Sequence, residues 1–302
     1  MQSTQKWALG LGAGLGAGLI TALIGASWQI VSRSAALTPL GPVELAVLRY
    51  VIPGVCLLPA LRGVGLLPKA VSPRVLLALV CGGGLPFGLL AFAGTRFAPA
   101  AHMGVMVAAT GPLITAMLMW IIDRTRVSPS RGVGLLLIAI GVTVLGARAL
   151  TSGEQTWIGD IFFLLAALCW GGYGIAFRKS GLTPWQGSAL VNAWSALLLL
   201  PIILLVGVDG FFRVDGQILA LQALWQGVIA GLLGGVAFTF AVRQLGANGA
   251  AAFGALVPVL SAVGGWFILS EAMTVSVVVA SVLAMLGVAL AVGLFERGVK
   301  KR

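Results

Sequence analysis

Residues 33–39 read RSAALTP and residues 178–184 read RKSGLTP, so an arginine and a Leu-Thr-Pro ending recur 145 residues apart. Two further pairs lie 146 residues apart: Pro112 with Pro258, and Gly141 with Gly287. Any one match is weak, but several matches at nearly one offset indicate that the second half of the chain repeats the first. We therefore divide the 302 residues into two units, 1–150 and 151–302.

Composition places both units in a membrane. The chain is 59% hydrophobic and 9% charged, whereas soluble domains carry about 25% charged residues. This difference excludes a soluble enzyme, a nucleic-acid-binding protein and a disordered chain. A membrane-spanning helix needs about 20 mostly apolar residues. Ten runs of that kind occur, at 8–32, 43–61, 75–94, 99–122, 132–150, 157–177, 185–206, 220–242, 247–269 and 273–295. The sequence therefore predicts an all-α integral membrane protein with ten transmembrane helices.

Lysine and arginine residues predict the orientation of these helices. With ten spans, fourteen of them fall on the side of the two termini and the even-numbered loops. Four fall on the opposite side: Arg33, Arg96, Arg148 and Arg213. Because basic residues favour the cytoplasmic side, we expect a multi-pass protein of the plasma (inner) membrane with cytoplasmic N- and C-termini. The net charge of +11 is thus a topology signal, and we expect the bilayer, not nucleic acid, as a partner.

Five helices in each unit make the second unit run through the membrane in the opposite sense to the first. Inverted repeats of this kind are typical of secondary transporters, in which one substrate site lies between the repeats near the bilayer midplane. Exchange of conformation between the two repeats would then give alternating access. A duplicated structural protein without transport activity is the alternative interpretation.

Three kinds of residue carry a resemblance to a known family. A tryptophan-bearing span ends in a basic residue in each unit, from Trp28 to Arg33 and from Trp170 to Arg178. In each unit the fourth span contains one of the repeated prolines given above, and the fifth span contains one of the repeated glycines. The chain thereby resembles the drug/metabolite transporter superfamily, in its ten-helix branch of two EamA-type repeats. Members usually place a glutamate after the fourth span, and Glu271 fits this pattern, whereas the first unit has only Asp123, two residues early. The resemblance implies transport of small solutes, with amino-acid export a common role of bacterial members.

Prolines inside the fourth and ninth spans are candidate hinges. Pro112 and Pro258 have no amide hydrogen to donate, so the carbonyl groups of Ala108 and Gly254 lose their usual helical partners. Within a bilayer such a break requires neighbouring groups or a wet cavity to satisfy the freed carbonyl. A hinge facing the cavity and a static kink that improves packing both remain open.

Arg49 is the most informative single residue, because it lies inside the second span. It could bind the carboxylate of a substrate. It could instead extend to the membrane surface or pair with Glu44 at the mouth of the same helix. Both interpretations remain open.

Other polar and aromatic side chains inside the spans are candidate substrate-binding residues, because such groups are costly in lipid. Ser188, Asn192 and Ser195 share one face of the seventh span. His102, the only histidine, is a candidate for binding or proton transfer, with packing as the alternative. The full candidate set is Trp28, Gln29, Arg49, His102, Trp170, Tyr173, Ser188, Asn192 and Trp194.

The residue types that are absent from the spans limit the classes of substrate that we expect. The sequence places no Asp or Glu in the middle of a span, which argues against a proton-coupled exporter of cationic drugs. One intramembrane arginine is too few for sugar phosphates. We therefore expect export of small neutral or zwitterionic solutes, with amino acids, aromatic or hydrophobic ones included, as the leading class.

Two alternative functions remain open, and we expect three features to be absent. Export of other metabolites or drugs within the superfamily is an alternative, and a channel or structural subunit is one from another class. We expect no enzymatic activity, no cofactor and no metal, since no catalytic or metal-ligating cluster is visible in the sequence. The oligomeric state is left open, with a monomer compatible with the sequence.

Overall fold

The computed structural model describes residues 2–151 and 155–293, and it is built from helices joined by short connections. We label ten helical segments in chain order: α1 Gln2–Ala35, α2 Pro42–Cys56, α3 Pro73–Gly94, α4 Ala100–Asp123, α5 Pro129–Thr151, α6 Thr156–Ser180, α7 Pro184–Val206, α8 216–252, α9 Phe253–Leu269 and α10 Val275–Ala291. The apolar runs 220–242 and 247–269 predicted a connection at 243–246, but the backbone is helical there and α8 runs directly into α9. The basic C-terminal residues Arg297, Lys300, Lys301 and Arg302 lie outside the described residues.

Within the described residues, seven of these segments are long and apolar enough to cross a membrane: α1 (over Gly12–Ala35), α3, α4, α5, α6, α7 and α8 (over Gly216–Phe238). The apolar helices α9 and α10 are shorter, and α2 has 15 residues before a short 3₁₀ turn at Leu58–Leu61. The protein is thus a multi-pass, all-helical membrane protein. The number ten for its spans stays a prediction.

Residues at the helix ends form helix caps. Thr183 and Gln186 form a reciprocal capping box at the start of α7, in which each side chain accepts from the other residue's amide. The ends of α4 and α9 are alike, because Arg124 and Ser270 both adopt left-handed conformations with φ of 50° and 55°. These two caps lie 146 residues apart, the offset of the sequence repeat.

Irregular helix geometry also occurs in corresponding places. A π-helical stretch, Gly104–Ala109, precedes Pro112 in α4, and a 3₁₀ turn, Phe253–Leu256, precedes Pro258 in α9. The sequence prediction that both prolines disturb the helix just before them agrees with this backbone; a hinge role stays a prediction. The α8 backbone is π-helical over Ala223–Leu233.

The helix α3 is broken at Gly84, where the backbone leaves helical geometry before Pro86. Tyr50 on α2 donates its hydroxyl to the Gly84 carbonyl at 2.5 Å. The next amide, of Leu85, donates to Ser195 Oγ on α7 at 3.0 Å. A side chain at Gly84 would collide with Ser195 Oγ and the Val80 carbonyl, so glycine permits this close approach. The break is therefore satisfied by two neighbouring helices, as a membrane interior requires.

Helix packing is largely, but not wholly, symmetric when the two units are exchanged. The pairs α2 with α7, α4 with α9 and α5 with α10 each join corresponding helices. Three further contacts each have an exchanged counterpart: α3 with α6 and α8 with α1, α4 with α6 and α9 with α1, α3 with α7 and α8 with α2. Contacts of α5 with α6 and of α4 with α10 lack such a counterpart of similar extent in the described residues. Gly134 and Gly287 let the α5 and α10 backbones meet, because a Cβ at either would lie within 2.8 Å of backbone atoms of the other helix.

Candidate functional site

One end of the helix bundle, which we call the sealed end, is closed by an ion pair between the units. Arg33 Nε at the end of α1 lies 2.9 Å from Glu271 Oε1, which follows α9. Arg33 also donates to the Thr95 carbonyl at 2.5 Å, and Glu271 Oε2 accepts from the first amide of α4, at Ala100, at 3.0 Å. Both charged side chains are mostly buried, with 19% and 12% exposed. Four segments are thereby joined at one point.

Polar side chains continue this closure between α1 and α8. Gln226 is fully buried; it accepts from Trp28 Nε1 at 2.8 Å and donates to Ser32 Oγ at 3.0 Å. One turn earlier, Gln222 donates to the carbonyl of Val31 at 2.9 Å. These amide hydrogen bonds, which we call the glutamine zipper, hold the second half of α1 against the start of α8.

The opposite end, which we call the open end, contains a cavity of about 570 Å³. Its lining runs from Ala108 and Gly111 in the middle of α4 to the connection between α4 and α5, where Arg126 is exposed. Residues of α6, α8 and α10 complete the wall. A volume of several hundred cubic ångströms is typical of small-molecule sites. Because its lining begins in the middle of α4 and includes neither Arg33 nor Glu271, the cavity reaches from the interior to one face of the bundle and does not extend to the sealed end.

Aromatic rings form a continuous row from the interior to the cavity. Trp28, Phe87, Trp170, Tyr173 and Phe177 follow one another, with successive ring centroids 5.9, 5.3, 5.2 and 5.9 Å apart. The last three rings line the cavity. Such a wall suits a flat or apolar solute, and its ring faces also attract cations.

Arg49 lies where this row enters the interior. Its guanidinium carbon is 6.0 Å from the Trp28 ring centroid and 5.9 Å from that of Tyr50. Its Nε is buried, and among the described residues the side chain has neither a hydrogen bond nor an ion pair. Glu44 is not its partner, because both Glu44 oxygens accept backbone amides, from Gly41 and Gly210. Among the residues that the structure describes, this interior cation thus has no counter-charge.

Comparison with known proteins finds one family along most of the chain. The model of the EamA-like transporter family matches twice, over residues 12–147 and 157–293. The chain belongs to the EamA-like transporter family. The uncharacterized transporter YoaV of Bacillus subtilis (strain 168) is 26% identical in an alignment of 289 positions that covers 92% of this chain and 96% of that protein. A protein of known crystal structure shares 21% identity and a TM-score of 0.58, over 96% of this chain and 99% of that one; this shows a common fold.

In this EamA-like transporter, the predicted site residues fall into three groups. Trp170 and Tyr173 line the cavity, as does the candidate hinge Pro112. Trp28 and Arg49 meet at the inner end of the aromatic row. The others are engaged elsewhere. Gln29 accepts from Ser261 at 2.5 Å, His102 lies 2.7 Å from Asp160, Asn192 donates to the Ser188 carbonyl at 2.8 Å, and Trp194 donates to the Leu66 carbonyl at 2.8 Å. Their role in binding stays a prediction.

Sequence reasoning missed the residues that close the sealed end. Gln222 and Gln226 are polar residues one turn apart inside the eighth apolar run, which is the signal that singled out Asn192. Arg33 and Glu271 were part of the family resemblance, but 238 positions separate them, and no local pattern indicates that they pair.

Proposed function

We propose that this EamA-like transporter exports small neutral or zwitterionic solutes across the plasma membrane by alternating access, with amino acids, aromatic and hydrophobic ones first, as the substrates. The first five helices and the last five act as inverted repeats of a ten-helix carrier. The cavity, open at one end below a sealed end, is the observation that carries this proposal. A carrier needs its binding space to reach one side of the membrane at a time.

The exchange symmetry of the helix contacts supports this mechanism. At the sealed end α1 packs on α8, and at the open end the corresponding helices α6 and α3 border the aromatic row. If the two units adopt each other's conformation, the first contact loosens and the second tightens. With cytoplasmic termini, the open end faces the cytoplasm, which is the side from which an exporter loads.

The unpaired Arg49 supports a substrate that contains a carboxylate. Removing a cation from water costs several kcal/mol after relaxation, whereas a cation–π contact contributes about 0.5–2 kcal/mol. Rings whose centroids lie 5.9 and 6.0 Å away therefore offset only part of this cost. A substrate carboxylate would supply the missing charge, while the aromatic row would contact an apolar side chain or an ammonium group.

Transport in proteoliposomes tests this proposal. Purified protein should accumulate labelled phenylalanine, leucine or another amino acid of a panel, transiently and above equilibrium, when vesicles are preloaded with the unlabelled compound. Such counterflow requires an alternating carrier. Arg49→Gln should lower the initial transport rate at least about tenfold, which is the effect of losing one charge-assisted hydrogen bond. Arg49→Lys should retain part of the parent protein's rate.

Exposed Arg213 at the sealed end provides the matched control, and Arg213→Gln should leave the rate within about twofold. Uptake without counterflow would indicate a channel. Saturable uptake of sugar phosphates with no amino acid transported would overturn the substrate class, and an unchanged rate in Arg49→Gln would remove Arg49 from the site.

A further inference from the structure

The charged side chains in the described lining of the open-end cavity are all basic. Arg126 belongs to the connection between α4 and α5, and Arg131 lies in the first turn of α5. Asp123, in the last turn of α4, is exposed and does not line the cavity. A solute that moves from Arg126 along the aromatic row to Arg49 therefore passes no carboxylate side chain among the described lining residues.

Arg126 is placed to act on solutes at the mouth of the cavity. It is exposed, in a non-helical stretch at 124–128, and within the described part of the chain it has neither a hydrogen bond nor an ion pair. Arg124, two residues earlier, is exposed as well, but its guanidinium carbon lies 5.1 Å from the centroid of the Trp120 ring, and it does not line the cavity. The same connection thus contains one arginine at the cavity and one outside it.

A cavity whose charges have one sign attracts solutes of the opposite net charge. Walls of low dielectric constant concentrate the field of such charges and raise the local concentration of the counter-ion. An amino acid at neutral pH is a zwitterion without net charge, so repulsion of its ammonium group offsets the attraction of its carboxylate. A carboxylate without an amino group is only attracted, and an amine is repelled. The basic mouth therefore favours anions over zwitterions and cations.

The inner part of the cavity fits the same class of solute. Arg49 supplies a cation for a carboxylate, and Trp170, Tyr173 and Phe177 supply ring faces for an aromatic or branched apolar group. We propose that Arg126 is a selectivity residue for anions, and that the protein exports carboxylates without an amino group, aromatic ones first, alongside amino acids. This inference rests on the proposed function, because it assigns the same cavity and the same Arg49 to both classes of solute.

Binding of a matched series of solutes tests the role of Arg126. Phenylpropionate, its uncharged amide and phenylpropylamine share a ring and a chain but differ in charge. Calorimetric titration of the purified protein in micelles of an uncharged detergent measures the three dissociation constants (Kd) at low and at high salt. The carboxylate should bind most tightly and the amine most weakly.

The substitution Arg126→Gln should weaken this selectivity in a salt-dependent way. At low salt the ratio of the amide's Kd to the carboxylate's Kd should fall about two- to fivefold, which is the contribution of one exposed charge. At about 1 M salt the ratio should be the same in the variant and the parent, because charges then act over only about 3 Å. A purely structural role of Arg126 would not depend on salt in this way.

The matched control is Arg124→Gln, which removes an equal charge from the same connection but outside the cavity. It should change the Kd ratio less than Arg126→Gln does, and both variants should unfold at the temperature of the parent, because both side chains are exposed. Equal effects of the two substitutions at low salt would overturn the proposal. So would weaker binding of phenylpropionate than of its amide to the parent.

Counterflow of labelled phenylpropionate in proteoliposomes tests whether the bound anion is also carried. Counterflow above that of protein-free vesicles, with a lower rate in Arg126→Gln at low salt, supports the proposal. Counterflow of phenylalanine without any of phenylpropionate would overturn it and leave the proposed amino-acid export intact. Counterflow of phenylpropionate without any of an amino acid would instead overturn the amino-acid class and leave the role of Arg126 standing.

Discussion

Arg33 and Arg178 occupy corresponding positions, 145 residues apart, yet their surroundings differ. Arg33 is mostly buried and bonded to Glu271 and the Thr95 carbonyl. Arg178 is exposed, and its guanidinium donates to Met119 Sδ at 3.7 Å. The same residue in the same repeat position thus closes one end of the bundle and leaves the other end open.

Corresponding positions of the two units can therefore have the same residue type without making the same contacts. The sealed end depends on a carboxylate after α9, whereas the corresponding helix α4 has only Asp123, inside its last turn. The open end has arginines and aromatic rings where the sealed end has an ion pair and glutamines. A closed state of the open end must therefore use different contacts, so we expect the two closed ends to differ in stability.

The largest effect should come from breaking the ion pair of the sealed end. Glu271→Gln removes the charge that faces Arg33, and loss of one partner from a buried pair costs about 3–5 kcal/mol. Thermal unfolding of the purified protein in micelles measures the change. Asp209→Asn is the control, since its pair with Arg213 is 3.6 Å long with side chains 78% and 71% exposed, where pairs contribute at most about 1 kcal/mol. Equal effects of the two substitutions would show that the sealed end does not depend on its buried pair.

A smaller loss is expected from the glutamine zipper. Gln226→Leu keeps the volume but leaves Trp28 Nε1 and Ser32 without their partners on α8. Each unsatisfied buried group costs about 1–3 kcal/mol, and unfolding by heat should show a loss of this size. Exposed Gln217 on the same helix is the control, and Gln217→Leu should change stability little. If the Gln226 variant were as stable as the parent, the zipper would be incidental to closure.

The smallest change in stability should occur at the open end. Gly174 lines the cavity, and a side chain there would meet no atom within 4 Å. Gly174→Leu should unfold within about 0.5 kcal/mol of the parent, as surface changes do, but it should lower transport because it occupies the binding space. Gly172 also has free space around it but does not line the cavity, so Gly172→Leu should keep both stability and transport. Normal transport by Gly174→Leu would place the solute elsewhere.

Sequence alone could predict the membrane fold and the repeat, because both depend on local composition and on spacing along the chain. The disturbed helices before Pro112 and Pro258 were likewise predictable, since proline acts on its own turn. The interior position of Arg49 followed from its place within a span. The pairing of Arg33 with Glu271 and of His102 with Asp160 was not predictable, because such contacts depend on how distant helices pack. The row of aromatic rings from Trp28 to Phe177 was not predictable for the same reason.

Alternation of the two ends is the central claim, and distances between spin labels test it most directly. One labelled pair, at exposed Leu37 and Arg96, spans the sealed end; another, at exposed Lys179 and Phe238, spans the open end. On addition of a transported solute, double electron–electron resonance should show the first distance lengthening in the same fraction of molecules in which the second shortens. Two distances that lengthen together, or that both stay fixed while the solute is transported, would contradict an exchange of conformation between the two units.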